Sequence, residues 1–131
     1  MPKLDLTNFE KTLSLLEKMI NDGDKTEKDK LSIIQSFEFC YSQCIGIMKR
    51  YIQIYYAEKY NESIRLDDII KYLYKEGITL SDYSHWDEFR ETRNNTSHEY
   101  NHTNWNEFYQ SVIKFSKEAK FVYKKLKTLE K

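Results

Sequence analysis

The chain has 131 residues, and its 21 Lys and Arg balance its 21 Asp and Glu, so net charge does not indicate a nucleic-acid-binding protein. Three glycines and one proline are too few for the many tight turns of a β-sandwich or barrel. We therefore predict a single all-α domain over residues 1–131. With no secretory signal and no apolar run long enough to span a membrane, we expect a cytoplasmic protein.

The first two predicted helices are separated by a polar loop over residues 21–29. The first begins at a capping box, Thr7-Asn8-Phe9-Glu10. The second runs from about residue 30 to residue 60 and carries two adjacent apolar stripes, so it is predicted at the centre of a bundle. The stripes consist of Ile34, Phe37, Tyr41, Cys44, Met48, Tyr51 and Tyr55 on one side and Ile33, Cys40, Ile47 and Ile54 on the other.

Three more helices complete the predicted up-and-down bundle of about five. A short helix over residues 67–76 ends at Gly77, the expected left-handed residue after a helix. The next helix begins near Ser81 or Ser84, either of which could cap it. The last begins at Asn104, with Glu107 completing its cap, and its apolar residues keep steps of three and four to the end of the chain.

The fourth helix contains the candidate site, because its apolar pattern ends in a charge. Tyr83, Trp86 and Phe89 share one face, and the next position on that face is Arg93. A guanidinium on a core-facing stripe is unfavourable unless it meets an anion, a partner chain or a water-filled cleft. The polar run Arg93–Tyr100 is therefore predicted to be functional.

One interpretation of this run is metal chemistry. Residues 98–102 match H-E-x-x-H, which places two histidines on one helical face around zinc with the glutamate as general base. The context does not fit, since no strand is predicted to hold a substrate and Glu107, the nearest downstream acid, is assigned to a helix cap. We predict no metal site and no cofactor.

The residues leave two further interpretations open. Arg93 could hold a phosphate while His98 moves a proton, the minimum needed to cleave RNA without a metal. The two are five residues apart and about 140° out of phase on an ideal helix, so they need a distorted helix or a cleft shared by two subunits. Alternatively, Arg93 and His98 form a satisfied polar network between helices and Tyr100 is a packed aromatic residue.

The segment Arg93–Tyr100 resembles the R-x4-6-H motif of the HEPN superfamily, in the R-N-x-x-S-H-x-Y form of its HepT-like branch, also described as nucleotidyltransferase substrate-binding proteins. The segments Ile34–Phe39 and Met48–Tyr51 resemble the family's long helix, and Trp86 stands where the family has a Trp ahead of the motif. Ser42–Ile45 departs from the small-residue and Trp segment common in the family. The resemblance covers nearly the whole chain.

This resemblance implies a homodimeric helical bundle acting as the toxin of a toxin-antitoxin pair, a metal-independent endoribonuclease with RNA as its substrate. Arg93 and His98 would be the catalytic pair, with Asn94 as the polar residue after the arginine. Tyr100 would be modified with AMP by the partner, a minimal nucleotidyltransferase antitoxin. In an older description of the same family, the protein is instead a non-catalytic subunit that presents substrate to the nucleotidyltransferase.

Overall fold

A computed structural model of the chain describes residues 4–22, 26–96 and 105–129. Within these ranges it contains five α-helices, a 3-10 turn at residues 57–59 and no strand, which confirms the all-α prediction. None of the described helices is both long and apolar enough to cross a membrane. The helices are α1 (Thr7–Asn21), α2 (Glu27–Tyr55), α3 (Leu66–Lys75), α4 (Tyr83–Asn95) and α5 (Trp105–Leu129).

The start of α1 differs from the predicted capping box. The cap position is Leu6, and the Asp5 carboxylate accepts the backbone N–H of Thr7 at 3.0 Å. This bond, with a side-chain hydrogen bond from Thr7, holds the pKa of Asp5 below its usual value. Thr7 thus lies inside the helix, because an acidic residue upstream takes its amide.

The capping box of this protein lies at the start of α2, which was predicted to be a loop. The Thr26 hydroxyl accepts the Asp29 N–H at 3.1 Å, and the Asp29 carboxylate accepts the Thr26 N–H at 3.0 Å. The helix therefore begins at Glu27, three residues before the predicted start, and ends at Tyr55 rather than near residue 60.

Helix α2 lies in the middle of the bundle, as its two apolar stripes predicted. It packs against α1, α3 and α4, and α5 packs against α1 and α4 and meets α2 through aromatic contacts. Phe37 of α2 is fully buried and meets Phe115 and Phe108 of α5 edge to face, at ring-centroid distances of 5.3 and 5.8 Å. Tyr55, predicted in the first stripe, is instead 45% exposed, since it is the last residue of the helix.

Helix α3 ends at the predicted glycine, and a short connection leads to α4. Gly77 has a φ of +73°, and its N–H donates to the Tyr74 carbonyl at 3.0 Å. The Ile78 N–H donates to the Leu73 carbonyl at 2.8 Å, which completes a Schellman motif. Helix α4 is capped by Asp82, whose carboxylate accepts the Ser84 N–H at 3.0 Å, so neither predicted serine is the cap.

The predicted cap of the last helix, Asn104, lies outside the described residues. The face of α5 that packs on the bundle is as the spacing predicted, with Val112, Phe115, Ala119, Val122 and Leu126 fully buried. The chain's helices thus pack around one apolar core, and the prediction of a single domain over residues 1–131 stays a prediction.

Candidate functional site

Arg93 forms an ion pair that connects the end of α4 to α2. Its Nη1 lies 3.1 Å from Oε2 of Glu38, and the two side chains are 36% and 30% exposed. Trp86 and Phe89, which precede Arg93 on the same face, are fully buried, so α4 places the guanidinium where its buried stripe meets solvent. A carboxylate from a neighbouring helix thereby compensates the charge that interrupts the stripe.

Thr96, at the end of α4, joins the same network. Its hydroxyl lies 3.1 Å from Oε2 of Glu38 and 2.8 Å from the carbonyl oxygen of Arg93, so it can donate to either. Arg93 Nη1 also lies 3.5 Å from this hydroxyl, at the limit of a hydrogen bond. Arg93 and Thr96 therefore meet at one carboxylate oxygen of Glu38. The interpretation that joined Arg93 and His98 in a polar network stays a prediction, since His98 lies outside the described residues.

Within the described part of the chain, the Arg93 guanidinium makes contacts on one side only. Its contacts with Glu38 and Thr96 are both made through Nη1, and among the described residues neither Nε nor Nη2 has a partner. These two nitrogens form the edge that binds a carboxylate or phosphate with two parallel hydrogen bonds. Arg93 can therefore keep its contact with Glu38 and still accept an anion from solvent.

The other predicted site residues are less completely described. Asn94 is exposed on the last turn of α4, next to Arg93. His98 and Tyr100 lie outside the described residues, as does the whole H-E-x-x-H match at residues 98–102. In the described part of the chain, no three His, Cys, Asp or Glu side chains converge as metal ligands would.

Glu38 was not among the predicted site residues. It occurs in the middle of α2, between Phe37 and Phe39, and 55 positions before Arg93. A charged residue on a long amphipathic helix is usually solvated, so its type gave no reason to select it. The one available signal was the resemblance of the segment Ile34–Phe39 to a family motif that includes this glutamate.

A groove of about 570 Å³ lies between α4 and α5, and none of Arg93, Glu38 and Thr96 lines it. Near it the Thr92 and Ser111 hydroxyls are 2.8 Å apart and connect the two helices. Its charged lining consists of Lys114 and the four acids Asp87, Glu88, Glu91 and Glu107. A groove with this excess of carboxylates repels phosphate.

The start of α4 is attached to α5 by a buried carboxylate. Glu118 is 4% exposed and accepts both the backbone N–H and the hydroxyl of Ser81, each at 2.9 Å. Trp86 then packs edge to face on Phe115 of α5, and its Nε1 is buried without a hydrogen-bond partner among the described residues. These contacts hold α4 in position from its first turn, and Arg93 is carried on its last.

Comparison with known proteins supplies the family. A family profile described as nucleotidyltransferase substrate-binding protein-like matches residues 4–128. The chain belongs to that family. The resemblance predicted from the motif is thereby confirmed for the nucleotidyltransferase substrate-binding proteins, while membership of the HEPN superfamily stays a prediction.

Among solved structures, this member of the family is similar to HI0074 from Haemophilus influenzae, which is described as showing the fold of a substrate-binding domain of a nucleotidyltransferase. The TM-score is 0.79, with 23% sequence identity over 94% of this chain and 99% of HI0074. At this identity the likeness establishes the helical fold. No curated protein matches the chain.

The prediction that the chain is a metal-independent endoribonuclease is wrong. The family to which it belongs is named for substrate binding, which is a non-catalytic role. The ion pair with Glu38 also accounts for an arginine on the inward stripe without any chemistry. The choice of Arg93, His98 and Asn94 as site residues is not tested by these findings and stays a prediction.

Proposed function

We propose that this chain is a substrate-binding subunit that acts with a nucleotidyltransferase and catalyses no reaction of its own. The observation that carries the proposal is the family match over residues 4–128. The likeness in fold to HI0074, itself described as a substrate-binding domain of a nucleotidyltransferase, supports it. Neither comparison supports a toxin role or RNA cleavage.

The proposed substrate site is the end of α4, at Arg93. The Nε and Nη2 edge of its guanidinium, which has no partner among the described residues, suits a phosphate or carboxylate of the substrate, and the charge of Arg is permanent. Asn94 and His98 follow within five residues and are proposed to contribute hydrogen bonds to the same ligand. In this proposal the residues that the motif singled out bind the substrate and do not transform it.

Tyr100 is proposed as an acceptor of the nucleotidyl group. In this step the tyrosine oxygen bonds to the α-phosphorus of ATP, the bond to the β-phosphate oxygen breaks, pyrophosphate leaves and the phenol proton goes to solvent. The product carries an anionic phosphate close in sequence to Arg93, which could pair with it. The nucleotidyltransferase supplies the catalysis, so this step requires no catalytic group from the chain.

The proposal is tested by mixing the purified chain with a minimal nucleotidyltransferase from the same organism, ATP and magnesium. We expect a stable complex in size-exclusion chromatography and adenylylated Tyr100 in peptide mass spectrometry. Tyr100→Phe should abolish the adduct, and Tyr74→Phe, at a half-exposed tyrosine of α3, should not. Absence of a complex would contradict the subunit role, whereas a complex without an adduct would contradict only the role of Tyr100.

We also propose that the chain forms a homodimer through the exposed face of α2. Leu31 and Phe39 are 57% and 67% exposed and share this face with Gln35, four residues from each. Large apolar side chains that are exposed on one face of a central helix are typical of a protein interface. Glu38 is adjacent to Phe39, so this interface would lie beside the Arg93 site.

A further inference from the structure

We propose that Glu38 tunes which anion Arg93 accepts, by holding the guanidinium in place and offsetting part of its charge. The carboxylate would then weaken the binding of a doubly charged phosphate monoester more than that of a singly charged phosphodiester. This inference rests on the proposed function, in which Arg93 binds the anionic part of the substrate. Beyond that function, it assigns Glu38 a role in specificity and names phosphate esters as the class of ligand.

The geometry of the Glu38 and Arg93 pair orients the guanidinium. The contact between Glu38 Oε2 and Arg93 Nη1 is 3.1 Å long, and the Thr96 hydroxyl meets the same oxygen at 3.1 Å. Because the guanidinium is planar, fixing Nη1 also fixes the direction of the Nε and Nη2 edge. A ligand bound at that edge therefore meets two donors that are already oriented.

The 3.1 Å contact between Glu38 and Arg93 also affects the charge that a ligand meets. The ion pair is close to neutral as a unit, and an anion at the free edge would stand roughly 7 Å from the Glu38 carboxylate, across the width of the guanidinium. With the dielectric constant of water, which sets the lower limit for a half-exposed site, the repulsion at that distance weakens binding by about threefold for each negative charge on the ligand. A ligand with two negative charges therefore loses about tenfold in affinity, so the site discriminates by charge as well as by shape.

The test uses two ligands that differ chiefly in charge. Adenosine 5′-monophosphate carries about two negative charges at pH 8, and 3′,5′-cyclic adenosine monophosphate carries one on the same base and sugar. Dissociation constants are measured by NMR titration for the wild-type chain and for Glu38→Gln, whose side-chain oxygen can still accept from Nη1. We expect this variant to bind the monoester about tenfold more tightly and the diester about threefold more tightly.

A matched control is available in a second ion pair between helices. Glu17 and Lys120 are 3.5 Å apart with side chains 33% and 42% exposed, and they connect α1 to α5. Glu17→Gln should leave the ratio of the two affinities unchanged. Glu38→Met, which is neutral and of similar length, should shift the ratio of the two affinities in the same direction as Glu38→Gln. Agreement between the two variants would show that the shift does not come from a structural defect in one of them.

Arg93→Lys separates this inference from the proposed function, because it keeps the charge and removes the two-donor edge. We expect it to weaken binding of both ligands. If binding depends on Arg93 but neutral variants at Glu38 leave the affinity ratio unchanged, the role of Glu38 is overturned and the anion site stands. If neither nucleotide shows binding that depends on Arg93, the anion site fails and this inference fails with it.

Discussion

Cys40 and Cys44 are fully buried on one face of α2, one helical turn apart. Burial raises the pKa of the Cys40 thiol from 9.0 to about 12 and that of Cys44 well above its ordinary value, because a thiolate there would lose its hydration. Since the thiolate is the reactive form, both cysteines are inert core residues at neutral pH.

The raised pKa of Cys40 predicts a loss of stability in alkali. Between pH 9 and about 12 the thiol is deprotonated in the unfolded chain and protonated in the folded one. The unfolded state then binds fewer protons, so the free energy of unfolding falls as pH rises, by up to about 1.4 kcal/mol per pH unit for this group. Below pH 9 the contribution is fully present and constant.

This loss is measured by urea unfolding at pH 8, 9 and 10 on the wild-type chain and on Cys40→Ala. The variant lacks one of the thiols, so its free energy of unfolding should fall less steeply with pH than that of the wild type. The tyrosines are present in both proteins and contribute equally to both slopes. Parallel pH dependences would show that Cys40 ionises alike in the folded and unfolded chains.

Glu118 is the residue whose replacement should most weaken the attachment of α4. Glu118→Ala leaves the Ser81 N–H and hydroxyl without their acceptors in a buried place and removes side-chain packing, so we expect a loss of about 2–4 kcal/mol in the free energy of unfolding. Ser81→Ala removes one of the two bonds and should lose about 1 kcal/mol.

The control is Glu91→Ala, at an exposed acid on α4, which should change stability by less than about 0.5 kcal/mol. Each variant is compared with the wild type by urea denaturation at pH 7. Equal stabilities for Glu118→Ala and Glu91→Ala would mean that the buried carboxylate does not hold α4 to α5.

Two glycines on successive elements should respond to alanine with opposite signs. Gly77 ends α3 with a φ of +73°, and an added Cβ would have no atom within 4 Å, so any cost comes from the backbone alone. We expect Gly77→Ala to lower the free energy of unfolding by about 1 kcal/mol. Gly46 lies inside α2, where its Cβ would also meet nothing within 4 Å, and Gly46→Ala should raise stability by about 0.5–1 kcal/mol.

This pair of variants is measured by thermal and urea unfolding under identical conditions. The two substitutions make the same chemical change in open surroundings, so backbone conformation is the difference between them. A stabilising Gly77→Ala would contradict the Schellman ending of α3, and a destabilising Gly46→Ala would indicate that this face of α2 is covered in solution.

At the scale of the whole molecule, the proposed homodimer predicts that charges on the α2 face separate the subunits. Leu31→Glu and Phe39→Glu should each convert a dimer to a monomer in sedimentation-velocity experiments at micromolar concentration, with unchanged circular dichroism. Leu15→Glu, at a half-exposed leucine of α1, should remain dimeric. A wild-type chain that sediments as a monomer would remove the dimer from the proposal.

Local periodicity was sufficient to predict the helices and the central place of α2. Residues three and four positions apart share a helical face whatever the rest of the chain does, and Gly77 has few alternatives as a helix end. The caps were harder, because several Ser, Thr, Asp and Asn residues compete near each start. Asp82, not Ser81 or Ser84, caps α4. A capping box forms at Thr26 and Asp29, not at the predicted Thr7.

Tertiary structure decided what Arg93 contacts. The sequence by itself determined that a charge interrupts the inward stripe of α4, since that follows from spacing within one helix. Its partner Glu38 is 55 residues away, and only the packing of α2 against α4 brings the two within 3.1 Å. Residue types did not determine whether the chain catalyses a reaction, because an arginine that holds a phosphate is the same group whether or not a reaction follows. The family match over residues 4–128 supplied the information that the residue types lack.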